Sequence, residues 1–199
     1  RVLIEQTLPD LDPDRLERWI RRLRRAALRA NEDWYRDLGI RYIAPYDILT
    51  DSEPRKPFDL IVSRSTLEHA PPELAPALFD RLTALLAKDG SAYHHIHLED
   101  HRDIDEHPFG FLSALDDYGP DDAKQRGNRL RASDWWQSCV AQADMHWQFE
   151  ASAPRLAQLP RFLASEFETA DPHDLAIGHL TLIGRRLPAQ PLPAAENPV

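Results

Sequence analysis

The chain has a single cysteine, Cys139. That excludes an intramolecular disulfide and any metal site built on paired thiolates. Glycine is scarce, 7 in 199 residues, and no two of them form a Gly-x-Gly ahead of a helix. The Gly-rich turn that lets a backbone close on a nucleotide is therefore absent from these residues. No apolar run approaches the ~18 residues that span a bilayer, so a membrane partner is not expected. Positive charge is in deficit, with 24 Lys and Arg against 33 Asp and Glu, for a net charge of -9. A net acidic protein is a poor polyanion binder, so nucleic acid is not the expected partner either. No secretory leader is visible, and the first residue is Arg1, not Met, which reads as a fragment or a processed chain. A cytoplasmic setting is the expectation. The sequence leaves the oligomeric state open.

What is present suits one globular domain, since 42% of the residues are hydrophobic. Val2 to Ile4 reads as a short strand ending at Glu5. Asp12-Pro13 opens a helix whose apolar stripe includes Leu16, Trp19, Ile20, Leu23 and Ala27. Its other face carries seven arginines between Arg15 and Arg29, which read as a solvated surface. Ile40 to Ile43 reads as a strand broken by Pro45. Phe58 to Val62 is apolar on consecutive positions, the pattern of a strand buried on both faces of a parallel sheet. Pro71-Pro72 opens a helix with Leu74, Leu78, Leu82 and Leu85 on its buried side, stopped at Asp89-Gly90. Ala92 to Leu98 is the next strand. Residues 99–127 are polar, aromatic and broken by Pro and Gly, and read as a lid or insertion with a short helix at Phe111 to Leu115. Ser133 caps a helix to about Ala143. His146 to Ala151 is a strand, Pro160 to Phe167 holds a short helix, and Asp174 to Arg185 carries the closing strand. Residues 187–199, rich in Pro and Ala, read as a disordered tail. The alternation predicts an α/β fold in three α/β/α layers around a mostly parallel sheet.

The segment Phe58-Asp59-Leu60-Ile61-Val62-Ser63-Arg64-Ser65-Thr66-Leu67-Glu68-His69 resembles the fourth-strand motif of class I S-adenosylmethionine-dependent methyltransferases, where Phe-Asp opens a strand that leads into Leu-Glu-His. Its neighbours agree with that order. Ile40 to Ile43 with Asp47 resembles the third strand and its terminal acid. Leu82 to Gly90 resembles the turn before the fifth strand. Gly127 to Trp135 resembles the approach to the sixth, and Pro172 to Arg186 the antiparallel closing strand. The likeness covers about residues 38–186. It implies a Rossmann-like sheet with its first strand and Gly-rich loop missing from this chain, a partial methyltransferase domain over 1–186, and S-adenosyl-L-methionine as cofactor. It also implies a pocket outside the carboxyl ends of the strands.

On that resemblance Glu5 receives the ribose hydroxyls, Asp47 the adenine amino group, and Ile48 packs on the adenine ring. Ser63 and Arg64 face the transferred methyl group or the cofactor carboxylate, with Glu68 and His69 close by. His69 suits a structural role beneath the cofactor loop as well as a catalytic one. The run His94, His95, His97, Glu99, Asp100, His101 and Asp103 admits three readings. One is a metal site from His97, Asp100, His101 or Asp103. One is a general base, His101 backed by Asp100 or Asp103. The third is a set of satisfied side chains in the lid. Asn128, Arg129 and Arg131 either bind an anionic acceptor or clamp the lid. Trp135 and Trp136 suit core packing, and Cys139 is expected buried and inert.

The expected activity is methyl transfer to an oxygen or nitrogen atom of a small-molecule acceptor, full activity needing the Gly-rich segment that these residues lack. The alternative is a non-catalytic domain of the same fold that serves as a binding or scaffold module.

Overall fold

The computed structural model describes residues 14, 17, 18, 20, 21, 24, 41–52 and 56–187. Glu5, most of the arginine-studded helix, the strand expected at Val2 to Ile4 and the tail after Leu187 lie outside these residues. The chain divides into two units, Arg1–Tyr46 and Asp47–Val199. In the first unit, Asp14, Glu17, Arg18, Ile20, Arg21 and Arg24 are helical, as the periodicity predicts. Arg41 to Ala44 is not a strand. The expectation at Ile40 to Ile43 fails because a strand needs a paired neighbour, and Tyr42 and Ile43 are exposed with no ladder.

The second unit is built on four strands. In chain order its regular elements are β1 (Phe58–Arg64), α1 (Ala75–Leu85), β2 (Leu86–His97), α2 (Ala123–Arg126), α3 (Ala132–Val140), β3 (Met145–Ala151), α4 (Pro172–Leu175) and β4 (His179–Arg186). The sheet order is β1-β2-β4-β3. β1 and β2 are parallel, and β4 is antiparallel to both β2 and β3. Three strands therefore point one way, and the closing strand opposes them. This is the mostly parallel, Rossmann-like sheet that the sequence predicts. Among the described residues its helices α1 and α3 pack on one face.

That face explains the apolar pattern. Ala92, His94 and Ile96 of β2 and Leu180 and Leu182 of β4 are buried with Phe79 and Leu82 of α1 and Trp135 and Cys139 of α3. Each sheet residue alternates sides, so the intervening positions fall on the other face. There Leu60 and Val62 are 57% and 59% exposed, so the burial on both faces expected for Phe58 to Val62 is not met: β1 is covered on one side only by the described residues. Gly184 is required by the packed face: a Cβ there would sit 2.5 Å from the Trp147 ring and 2.7 Å from the Met145 methyl carbon.

Two boundaries move. α1 ends at Leu85, not at Gly90, because Leu86 already pairs with Phe58. The ladder then skips to Leu60 opposite Ser91, and Asp89, at φ 67°, turns within that irregularity. The N-cap of α3 is Arg131, not Ser133. The Arg131 backbone N–H donates to Asp134 Oδ2 at 2.8 Å, whereas Ser133 Oγ donates to Asp174 Oδ2 at 2.6 Å.

The lid segment packs as a satellite core. Phe109, Phe111, Leu112 and Leu175 are fully buried together, with Tyr118, Leu163 and Phe167 against them. A bridge pairs Ser113 with Leu163. The expected helix at Phe111 to Leu115 is one 3-10 turn, Gly110–Leu112. No helix among the described residues is long and apolar enough to cross a membrane.

Candidate functional site

The parallel strands β1 and β2 end side by side, with Arg64 opposite His95. The chain leaves β1 through Ser65, whose N–H donates to the His95 carbonyl at 2.9 Å and whose φ is 50°. It then makes a single 3-10 turn, Leu67–His69. The Leu-Glu-His segment is thus a tight turn at the strand ends, where open α/β sheets place their ligands.

Within it, Glu68 is fully buried, and neither carboxylate oxygen has a hydrogen-bond partner. Burial raises its pKa above the usual carboxylate range. His69 Nδ1 lies 3.2 Å from the Ala123 carbonyl, and its ring meets His101 edge-on at 4.9 Å. Burial, and then the neighbouring His69, hold His101 below the ordinary histidine range, so the ring is neutral at pH 7. Its Nε2 is buried and unpartnered. Glu68, His69 and His101 each bring one ligand-type atom within 4.8 Å of the others.

Ser63 and Arg64 part company. Ser63 lies on the packed face, its Oγ 2.8 Å from Nδ1 of the buried His94. Arg64 is exposed on the other side, beside His95. Burial pushes His94 down to about 4, so this ring is also neutral.

Asp47 is exposed, at the start of a turn. Its Oδ1 accepts from the Leu49 N–H at 2.9 Å, and that bond first, then Thr50, holds its carboxyl below the usual range. Ile48 packs against the main core, and Arg81 of α1 donates to its carbonyl at 3.0 Å. The turn is therefore anchored, with the Asp47 carboxylate left on its outside.

The expected pairing of His101 with Asp100 does not form a hydrogen bond. Arg126 occupies Asp100 instead, Nε to Oδ1 at 3.1 Å and a terminal nitrogen to Oδ2 at 2.5 Å. Asp103 lies 2.8 Å from His107 Nδ1. Neither acid backs His101, and neither joins His97 in a metal set. The reason is local: residues 99–127 fold on their own buried arginine, and its two carboxylate partners, Asp100 and Asp116, are drawn inward.

Asn128, Arg129 and Arg131 act as clamps. Asn128 Nδ2 donates to the Ala70 carbonyl at 2.9 Å, and its backbone N–H to the Glu68 carbonyl at 2.5 Å, so it holds the Leu-Glu-His turn from behind. Arg131 is buried without a carboxylate and donates to the Leu98 and Ile177 carbonyls at 2.9 Å. Burial lowers its pKa to about 10. Arg129 pairs with Glu166 at 2.8 Å and stacks between Tyr118 and Phe167. Trp135 and Cys139 are in the core, as expected.

Sequence reasoning missed Arg155 and His179, and it named Glu99 in the histidine and acid run without a partner. Glu99 is 2% exposed and paired with Arg155. His179 Nε2 lies 3.3 Å from the other Glu99 oxygen. Gly178 makes room for this: a Cβ there would stand 2.5 Å from Arg155 and 3.0 Å from Glu99. The signal was a lone histidine opening the last strand, with nothing local to tie it to residue 97.

The sequence matches the family profile described as a methyltransferase domain over residues 11–159. No curated protein matches the chain. Among solved structures it is similar to the [4+2]-cyclase SpnF, at 15% identity and a TM-score of 0.45, over 79% of this chain and 61% of that one. It is similar to phosphoethanolamine N-methyltransferase 2 of Haemonchus contortus, solved with phosphomonomethylethanolamine and S-adenosylhomocysteine. There the identity is 13%, the coverage 72% and 36%, and the TM-score 0.43. An S-adenosylmethionine-dependent methyltransferase from Clostridium acetobutylicum is similar at 11% identity, 81% and 71% coverage and a TM-score of 0.45. The chain spans less than two thirds of the length of the first two.

Proposed function

The chain belongs to the methyltransferase-domain family, and from that premise we propose that it takes part in methyl transfer from S-adenosyl-L-methionine to an oxygen or nitrogen atom of a small-molecule acceptor. The observation that carries the proposal is the buried Glu68 carboxylate, without a partner, at the joined ends of two parallel strands. A carboxylate in that state costs free energy unless a cation or donor meets it. S-adenosylmethionine is cationic at its sulfonium and amino groups, so the donor set fits it.

When bound, the cofactor supplies an already activated methyl group. The chain's own residues do the rest. Asp47 offers an exposed carboxylate to the adenine amino group, and Ile48 an apolar surface beside it. Ser63 and Arg64 end the strand on opposite sides, and Arg64 carries the charge that suits the cofactor carboxylate. Glu68 and His69 line the turn beneath. His101, neutral and with a free buried nitrogen, serves in this reading as the base that takes the acceptor's proton. Asp100 contributes by holding Arg126 and, through it, the loop that carries His101. Asn128 and Arg131 fix the turn and the loop, and Arg129 borders them. Orientation and exclusion of water are the protein's main contribution to an in-line transfer.

The test is a map of backbone and imidazole NMR shifts of the 199-residue chain at saturating S-adenosylhomocysteine. Shifts confined to Asp47, Ile48, Ser63–His69 and His101 are expected. A spectrum that does not change sinks the reading and leaves the non-catalytic module.

A further inference from the structure

Three histidines outside this methyl-transfer machinery meet on the sheet face opposite α1 and α3. Strand alternation puts His95 and His97 on one side of β2. The β2–β4 ladder sets His179 across from His97, and Thr181 across from His95. The ring centroids of His95 and His97 are 5.3 Å apart, those of His97 and His179 4.6 Å, and those of His95 and His179 5.7 Å. One nitrogen from each of the three lies within 4.8 Å of the others.

The surroundings select which nitrogens are free. His95 Nδ1 is 3.1 Å from Thr181 Oγ1, which leaves its Nε2. His179 Nε2 is 3.3 Å from Glu99 Oε2, an ion-pair contact in which that oxygen accepts no hydrogen bond, and the His179 Nδ1 is buried with no hydrogen-bond partner. His97 Nδ1 is buried and unpartnered too, 3.9 Å from the same carboxylate oxygen. Arg155 occupies the other Glu99 oxygen and fixes the carboxylate in place. His97 and His179 thus each hold a buried nitrogen without a partner, which is costly, and a cation shared by the three rings would relieve both. Imidazole ligands suit borderline divalent ions over magnesium or calcium. A three-histidine set holds zinc with a position left for water or substrate. A carboxylate behind one imidazole is the usual device that orients such a ligand and raises its basicity.

We propose that His95, His97 and His179 bind one divalent transition-metal ion of the zinc class, with Glu99 as the group that orients His179. The site does not depend on the methyl-transfer reading. It lies beside the Glu68, His69 and His101 cluster, since the His101 ring centroid is 5.8 Å from that of His97. The sequence had grouped His97 with Asp100, His101 or Asp103. The register of β4 regroups it with His95 and His179.

The test is titration of the full chain with cobalt(II) alone, read by visible d–d absorption, and zinc retained after dialysis, read by atomic emission. One equivalent of each metal per chain is expected. His179→Asn and His97→Asn abolish the cobalt band, and Glu99→Gln weakens binding about 10–100-fold. Glu68→Gln and His101→Asn, in the neighbouring cluster, leave it intact. Circular dichroism verifies folding of each variant, and His179, the more exposed ligand, carries the test should His97→Asn fail to fold. No stoichiometric metal in the unmodified chain overturns the proposal. So does a band that survives His179→Asn and is lost in Glu68→Gln.

Discussion

Arg126 and Asp100 face each other through two nitrogens and both carboxylate oxygens, inside a loop where the arginine side chain is 6% exposed and the acid 1%. Asp116 meets the same guanidinium at 2.7 Å. This triad closes the segment that joins β2 to α3. Its backbone continues the contact, since the His101 N–H donates to the Arg126 carbonyl at 3.0 Å. Removal of the arginine leaves the buried Asp100 without its cation and Asp116 with only the half-exposed Arg102. Arg126→Met is expected to destabilise the fold by about 3–5 kcal/mol, the usual cost of breaking a buried pair from one side. Urea unfolding checks it, and a loss below about 1 kcal/mol would show a solvated pair.

Stability is also expected to depend on pH through His94. Its folded pKa is about 4, held down by burial, against about 6.5 unfolded. A histidine with a depressed folded pKa binds protons more readily when unfolded. Stability therefore falls as pH drops from about 6.5 towards 4, by an amount on the order of 3 kcal/mol. His94→Phe keeps a ring against Phe79 and Trp147 and removes the titration. Urea midpoints between pH 7 and pH 4 should slope less in the variant. Equal slopes would place the titration elsewhere.

Gly184→Ala tests the packing beneath β4. The added methyl meets the Trp147 ring and Met145, both in the core. Overpacking of this kind costs about 1–3 kcal/mol. A thermal midpoint unchanged from the unmodified chain would show that Trp147 moves freely aside.

Asp47→Ala is expected to weaken S-adenosylhomocysteine binding several-fold, with the fold intact, because only its own turn uses the carboxylate. The 199-residue chain has no Gly-x-Gly cradle for the methionine side, so binding weaker than micromolar is expected before any substitution. Titration calorimetry reads both. Micromolar binding by the chain would refute the expected weakness, and an affinity indifferent to Asp47 would remove Asp47 from the site.

His101→Asn, in a protein active towards an oxygen acceptor, is expected to lower kcat by about 10²–10⁴-fold and to leave cofactor affinity unchanged. The base works in its neutral form, and its pKa lies below the ordinary histidine value. The rate should therefore be flat near pH 7 and fall only in more acid solution. A variant with full activity removes His101 from the chemistry.

Local pattern carried much of this protein. Consecutive apolar residues from Phe58 to Val62, the leucine spacing of α1 and the alternation within β3 and β4 are short-range signals, and each element formed near its expected place. The family could be read from the order of such segments around Leu-Glu-His. Failures came where a residue's partner lay far along the chain. Ile40 to Ile43 has strand propensity and no described neighbour to pair with. Asp100 sits beside His101 in sequence, yet Arg126, 26 residues on, takes it. His97 and His179 are 82 residues apart, and only the antiparallel register of β2 and β4 brings them opposite. Periodicity is written in adjacent residues, whereas register and the choice of ion partner follow from whole elements packing together. The sequence alone thus determined the kind of fold and the turn that follows β1, and tertiary structure decided which histidines and acids gather at the strand ends.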